Sequence, residues 1–365
     1  MRIVCHREAL LNGVSIASSV APSRSTRPIL SGVKISAKKK QSVALATDLE
    51  IAVCARLAEV IVEREGEVVL TAHTLVEILR SIEAAEVTID CEGRKCRITS
   101  EDAEYELVTD DPTDFPEIGP AGRGGVSVPR GFLEEMFQRT AFAAARDVGR
   151  YAINGVLVEV GGGEIRFVAT DGRRLAVAVR ALPDATSDTR RAIVPVKALQ
   201  ECLRGSEGEE TVRVLIEDAR IVFSSESADI AAKPVEGDFP DYEAVVPQES
   251  LGRAEVARGT LYAAIKKASV MSGDEMRAIQ ISIHDGKIEV TAQVEGRGAA
   301  KTSIEAEIEG DDDVTVDFNP DYVADFLKPL PNQTVAFEFR DGNGAGVFRV
   351  EDSDDLYVVM PITTS

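Results

Sequence analysis

The chain has 365 residues, 44% hydrophobic and 28% charged, with a formal net charge of −21. That length outgrows one ordinary core and predicts two or three domains. No apolar run approaches the roughly 20 residues of a membrane helix, and the opening MRIVCHREALL lacks signal-peptide form, so a cytoplasmic protein with no membrane association is expected. With no Trp and 5% aromatics, the cores must be built from Val, Ile, Leu and Ala, a bias that favours strands. Cys5, Cys54, Cys91, Cys96 and Cys202 show no C-x-x-C spacing and read as separate reduced thiols. Three scattered histidines (His6, His73, His284) argue against a metal centre, and no cofactor is expected.

In chain order, an amphipathic helix is predicted over 7–20 and a shorter helix over 73–82, and between them Ala46-Thr47-Asp48 lies in a place matching Ala169-Thr170-Asp171. A Pro- and Gly-rich linker covers 111–129, and a helix follows over 130–146. Ile165, Phe167 and Ala169 alternate with polar neighbours, Asp171-Gly172 turns the chain, and Leu175, Val177 and Val179 return as a hairpin. A helix over 197–204 and a linker over 239–251 come next. The last third repeats the plan, with a helix over 258–268, a hairpin turning at Asp285-Gly286 and a helix over 320–328. The helices recur at intervals of roughly 125 residues, the usual size of one domain. Three α+β domains follow, at 1–122, 123–248 and 249–365, each with two helices against β-sheets.

The acidic balance argues against nucleic acid only if charge is evenly spread. It is not: the six helical segments carry 11 Lys and Arg against 7 Asp and Glu, on a chain with 41 basic and 62 acidic residues. Net-positive helices on a negative protein suit a shared face turned toward a polyanion, although helices also tolerate Lys and Arg well.

Six short segments occur in one order: Arg24 before Pro28-Ile29-Leu30, Thr47–Glu50 (TDLE), Arg150–Gly155 (RYAING), Ala169–Val177 (ATDGRRLAV), Phe239–Tyr242 (FPDY), and Tyr357–Pro361 (YVVMP). Together, over nearly the whole chain, they resemble the β sliding clamp family of bacterial DNA polymerase III. The resemblance implies a head-to-tail homodimeric ring with helices lining a hole for double-stranded DNA, held without sequence preference. It implies tethering of the replicative polymerase alpha subunit, the clamp loader and other proteins with a clamp-binding motif.

Carried over by position, the partner-peptide groove would use Ile153, Thr170, Gly172, Arg173, Arg174, Leu175, Pro240, Val245, Val347, Val358, Val359, Met360, Pro361 and Ile362. A Met and aliphatic residues make an adaptable pocket, while periodicity alone reads Leu175 and Val358–Met360 as core strand residues. Arg173, Ala152 and Ala244 depart from the family pattern, which puts peptide preference in question. DNA-facing candidates are Arg24, Arg146, Arg150, Tyr151, Lys197, Lys266 and Lys267. The ring would close between edge strands near 103–108 and 299–304, with Val270 and Met271 as apolar anchors. The first edge carries Glu101, Asp102, Glu104 and Glu106 and the other Arg297 and Lys301, a polarity opposite to that expected of the family.

An enzyme would need a catalytic constellation, and neither G-x-x-x-x-G-K-[ST] nor G-x-S-x-G is present. The glycine clusters at 161–163 and 342–346 suit hairpin loops, and Asp48 and Asp171 suit turns. A non-DNA acidic repeat scaffold is the alternative.

Overall fold

The computed structural model describes residues 1–362 except 120, 147–150, 184, 186, 248, 274–276, 295, 311–312 and 332, and of Tyr151 only the backbone. Among the described residues six α-helices form: α1 (Arg7–Ser18), α2 (Ala72–Ser81), α3 (Arg130–Thr140), α4 (Val196–Gly205), α5 (Arg258–Ser269) and α6 (Pro320–Leu327). All six predicted helices are present. The third ends sooner than the apolar pattern suggests, because the chain leaves helical geometry at Thr140 and runs on as a single 3-10 turn, Ala141–Ala143. None of the described helices is long and apolar enough to cross a membrane.

Two compact units emerge. The first, 1–133 with 197–234, holds two antiparallel sheets. A five-stranded one runs in the order Val60–Arg64, Arg2–His6, Glu86–Glu92, Lys95–Thr99, Glu104–Val108. An eight-stranded one runs Val126–Pro129, Thr211–Glu217, Arg220–Ser224, Ala228–Ala232, Ile51–Leu57, Ser42–Thr47, Gly32–Ala37, Gly66–Thr71. Ile3, Leu10, Ile35, Leu70 and Leu75 are fully buried there.

The second unit, 134–196 with 235–365, holds a nine-stranded sheet. Its order is Arg190–Pro195, Gly155–Gly161, Glu164–Thr170, Arg174–Ala181, Leu356–Val359, Gly346–Val350, Thr334–Phe339, Gly252–Ala257, Glu307–Gly310. A four-stranded sheet adds Gly298–Glu305, Lys287–Val294, Ile279–His284 and Val314–Phe318. The few aromatics concentrate here: Tyr357 stacks on Phe326 at 4.8 Å and Phe337 on Phe348 at 4.6 Å. Each such buried ring contributes about 1.5–3 kcal/mol of transfer free energy. The units cut across the sequence repeat because sheets continue past its boundaries. Ala228–Ala232 pairs with Ile51–Leu57, and Arg174–Ala181 with Leu356–Val359.

One reading of the cysteines is corrected. Cys91 and Cys96 are cross-strand partners either side of the tight turn at Gly93, with Cα atoms 4.0 Å apart, and are joined as a disulfide. Their spacing of five follows hairpin register, which motif spacing does not consider. Cys5, Cys54 and Cys202 are free; burial pushes the Cys5 and Cys202 thiols up to about 12 and Cys54 to about 11, which leaves them unreactive.

Candidate functional site

The predicted hairpin at Asp171-Gly172 builds one wall of a hollow of about 320 Å³ in the second unit. Thr170 Oγ1 donates to the Arg174 carbonyl at 2.7 Å and accepts from the Gly172 amide at 3.1 Å. Asp171 Oδ1 accepts from the Arg173 and Arg174 amides at 2.9 and 3.1 Å. Gly172 takes φ +85°, a left-handed conformation natural to glycine. The turn delivers Leu175 opposite Val358 of the last strand, and the Met360 amide extends the pairing to the Arg173 carbonyl at 2.9 Å.

The third wall is the 239–245 segment. Tyr242 is fastened by its hydroxyl, which accepts from Arg166 at 2.9 Å and lies 3.2 Å from Glu159, and Phe239 meets its ring edge-on. Burial lifts the Tyr242 hydroxyl above its usual range despite Arg166, so it stays a donor to Glu159. Pro240 and Val245 are thereby held over the hollow, with Val245 60% and Met360 50% exposed. Two large apolar side chains left in solvent around a mostly aliphatic depression describe a surface prepared for an apolar guest.

Ten of the fourteen expected groove residues line this hollow: Ile153, Thr170, Gly172, Arg173, Arg174, Leu175, Pro240, Val245, Val358 and Met360. The Arg174 guanidinium is occupied by Asp171, Asp325 and the Phe142 carbonyl and lies 4.3 Å over the Tyr322 ring. Four do not line it. Val347 is buried in the apolar cluster with Leu175 and Val358, Val359 is fully buried, and Pro361 and Ile362 are half-buried beyond the rim. Sequence reasoning missed Asp241 and Tyr242 as lining residues, although both belong to the FPDY segment. It also missed an ionic cluster of Glu135, Arg139, Arg180 and buried Asp355 beside the last strand, for which the sequence offers no local signal.

The candidate cations differ in state. Lys266 and Lys267 are exposed in the last turn of α5, where the helix dipole favours them, and among the described residues neither forms an ion pair. Arg24 and Arg146 are exposed in loops. Lys197 is engaged, its Nζ 2.9 Å from Asp48 Oδ2. Arg150 lies outside the described residues, as does the Tyr151 side chain.

Glu104–Val108 and Gly298–Glu305 are each the last strand of their sheet. Val108 is 78% and Val270 79% exposed, whereas Met271 is half-buried. The edge charges are not free: Glu104 pairs with Arg97, Glu106 with Lys95 and Lys301 with Glu289, and Arg297 has a partner too. Glu101 is exposed ahead of the strand. The count of charges along each edge thus overstated the reversed polarity, because neutralising partners sit on the adjacent strand.

Three family models match in sequence along the chain: the N-terminal domain of the DNA polymerase III beta subunit over residues 1–119, its central domain over 127–241 and its C-terminal domain over 243–363. The beta sliding clamp of Pseudomonas aeruginosa is 30% identical over 99% of this chain and 100% of its own length. The crystal structure of the DNA polymerase III subunit beta from the same organism matches with a TM-score of 0.93 at 29% identity, covering 99% of this chain and all of its own. The sliding clamp of Bacillus subtilis, at 23% identity and full coverage of both chains, shares the fold with a TM-score of 0.96.

Proposed function

Because the chain belongs to the DNA polymerase III beta subunit family, the bacterial β sliding clamps, we propose that its hollow is the groove that captures partner peptides. The protein is a sliding clamp of three clamp domains, a non-enzymatic processivity factor for DNA polymerase III. Domain limits at 1–122, 123–248 and 249–365 are our division. The observation that carries the groove is the meeting of Leu175, Val358 and half-exposed Met360 in one mostly aliphatic hollow. Such a site binds a short peptide of apolar and acidic or Gln character weakly, and the tether to encircled DNA then supplies a high effective concentration. The peptides would come from the polymerase alpha subunit, the clamp loader and other clamp-binding-motif proteins, in the cytoplasm.

Anisotropy of a fluorescein-labelled Gln-Leu-Asp-Leu-Leu peptide tests this. Saturable binding that Met360→Ala weakens at least tenfold is expected; binding unaffected by Met360→Ala places the site elsewhere. Removing the whole strand from Tyr357 would be a poor test, since Tyr357 is fully buried.

Two chains would close head to tail through the strands Glu104–Val108 and Gly298–Glu305, with Val108, Val270 and Met271 as the apolar part of the seam and Glu101, Glu104, Glu106, Arg297 and Lys301 around it. Exposed pairs contribute about 0–1 kcal/mol each, so apolar contact would carry the affinity. Native mass spectrometry should give a dimer that Val270→Glu dissociates. Within the ring Arg24, Arg146, Arg150, Tyr151, Lys197, Lys266 and Lys267 would face or border duplex DNA. Exchanging Lys266 and Lys267 for Met should flatten the salt dependence of DNA retention by about two counterions; an unchanged slope would remove both from the lumen.

A further inference from the structure

We infer that Asp355 is a positioning residue for the groove: its carboxylate sets where the last strand meets its neighbour and so holds Val358 and Met360 beside Leu175. The inference rests on the reading of the hollow as a peptide site. The last strand is four residues long, Leu356–Val359, and its backbone pairing to the neighbouring strand spans only Arg174–Val177. The strand also pairs on its other side with Gly346–Arg349, and a slip of one residue against Arg174–Val177 would turn Val358 out of the hollow and bring Tyr357 opposite Leu175.

Asp355, immediately before the strand and 2% exposed, continues the ladder with its side chain. Oδ1 accepts from the Val179 amide at 2.9 Å, two residues past the backbone pairing, and from Arg180 Nη1 at 2.7 Å. Oδ2 accepts from Arg180 Nη2 at 3.1 Å and from Arg139. Arg139 and Arg180 share the half-exposed Glu135 on their other side, so two cations and two carboxylates close a neutral cluster around the buried Asp355. Burial alone would raise the Asp355 carboxyl, but Arg180, the Val179 amide and Arg139 hold it below the ordinary range, so it is ionised and acceptor-only at neutral pH. At the far end the Met360 amide bonds to the Arg173 carbonyl. Val358 and Met360 thus lie between two anchors, one at each end of the strand. Tyr357 pins the opposite face by stacking on Phe326 and donating to the Tyr322 carbonyl at 2.9 Å, so loss of Asp355 should shift the strand rather than release it.

The test uses the full chain, the peptide Gln-Leu-Asp-Leu-Leu and hydrogen exchange at the Met360 amide. Asp355→Asn breaks the charge balance and is expected to lower peptide affinity about tenfold, speed Met360 exchange and lower the thermal midpoint. The pair Asp355→Leu with Arg139→Met removes one charge of each sign and leaves Arg180 to Glu135. It should regain much of the midpoint but not the affinity or the Met360 protection, because the acceptor for Val179 is gone. A residue with a merely structural role would let affinity return with the midpoint. That recovery, or Met360 protection unchanged in either variant, overturns the assignment. Failure of the unaltered chain to bind the peptide would instead count against the groove, while Met360 exchange still judges Asp355.

Discussion

The turn at Thr47–Ile51 in the first unit and the turn at Thr170–Arg174 in the second are the same device built twice. In each the Thr hydroxyl donates to the carbonyl four residues on, Ile51 at 2.8 Å and Arg174 at 2.7 Å. In each the Asp carboxylate accepts the two amides that close the turn. The third residue is left-handed, Leu49 at φ +79° and Gly172 at φ +85°. The fourth residue's carbonyl accepts, at 2.9 Å, the amide of the residue leaving the paired strand, Lys233 or Met360, and a proline follows both. Only side chains differ. Where the second unit sets Leu175 opposite Val358, the first sets Ala52 opposite Ala231, and where the second exposes Met360 the first pairs Lys233 with Glu50. One backbone frame therefore carries the wall of a hollow or plain scaffold, according to the side chains placed on it.

Converting the second turn toward the first should have the largest effect. Leu175→Ala reproduces Ala52 at a site 3% exposed within the apolar cluster. A loss of about 2–5 kcal/mol by denaturant titration is expected, with peptide affinity reduced at least 30-fold. Retained affinity would mean that the floor of the hollow contributes nothing to recognition. Gly172→Leu copies Leu49 and forces a branched side chain into a left-handed backbone at the rim. About 1–3 kcal/mol of destabilisation is expected, with affinity falling roughly tenfold.

The frame was legible in the sequence because its signals are local. Asp-Gly turns, period-two strands and the helical stripes gave the element order, and the matching Thr-Asp pairs marked the shared turn. Side chains meeting over long separations were not legible. Arg139 and Asp355 are 216 residues apart, and nothing near Asp355 distinguishes it from the solvent-facing Glu351, Asp352 and Asp354. The edge charges misled for the same reason: Glu104 and Glu106 read as a free acidic strip until register set Arg97 opposite Glu106 and brought Arg97 and Lys95 diagonally onto Glu104 and Glu106. The ten expected residues that line the hollow could be named in advance only through the resemblance; strand periodicity by itself assigns Leu175 and Val358 to a core, which the cluster beneath the hollow also makes them.

The reverse exchange, Leu49→Gly, should stabilise. Leu49 is 39% exposed and loses little burial, while glycine relieves a left-handed conformation that leucine adopts at a cost. Glycine's greater freedom in the unfolded chain offsets part of the gain, so the expected net is about 0.5 kcal/mol, read as a small rise in thermal midpoint. A fall would mean that the Leu49 side chain makes contacts worth more than the strain.

The smallest effect belongs to another ionic contact that separates the two turns. Asp48 Oδ2 takes Lys197, where Asp171 Oδ2 takes its own neighbour Arg174 at 3.0 Å. Burial works to raise the Asp48 carboxyl, but the Ile51 amide, Lys197 and the Glu50 amide together hold it below its usual value. A carboxyl lowered on folding contributes stability that is present above the unfolded value, near pH 4, and is lost as pH falls through the lower folded value. Lys197→Met removes one of the three supports. With the Lys197 side chain 46% exposed, solvent screening limits the cost to about 0–1 kcal/mol. The difference between Lys197→Met and the unaltered chain should be greatest at neutral pH and low salt. It should vanish in 1 M salt and below the folded Asp48 transition, where the carboxyl is protonated in both. A cost that survives 1 M salt would mean that the lysine stem packs the turn rather than pairing with it. Since Lys197 already neutralises a carboxylate, it has less charge to offer phosphate than Lys266. Its removal should therefore lower the salt slope of DNA retention by less than one counterion, against about one for Lys266→Met.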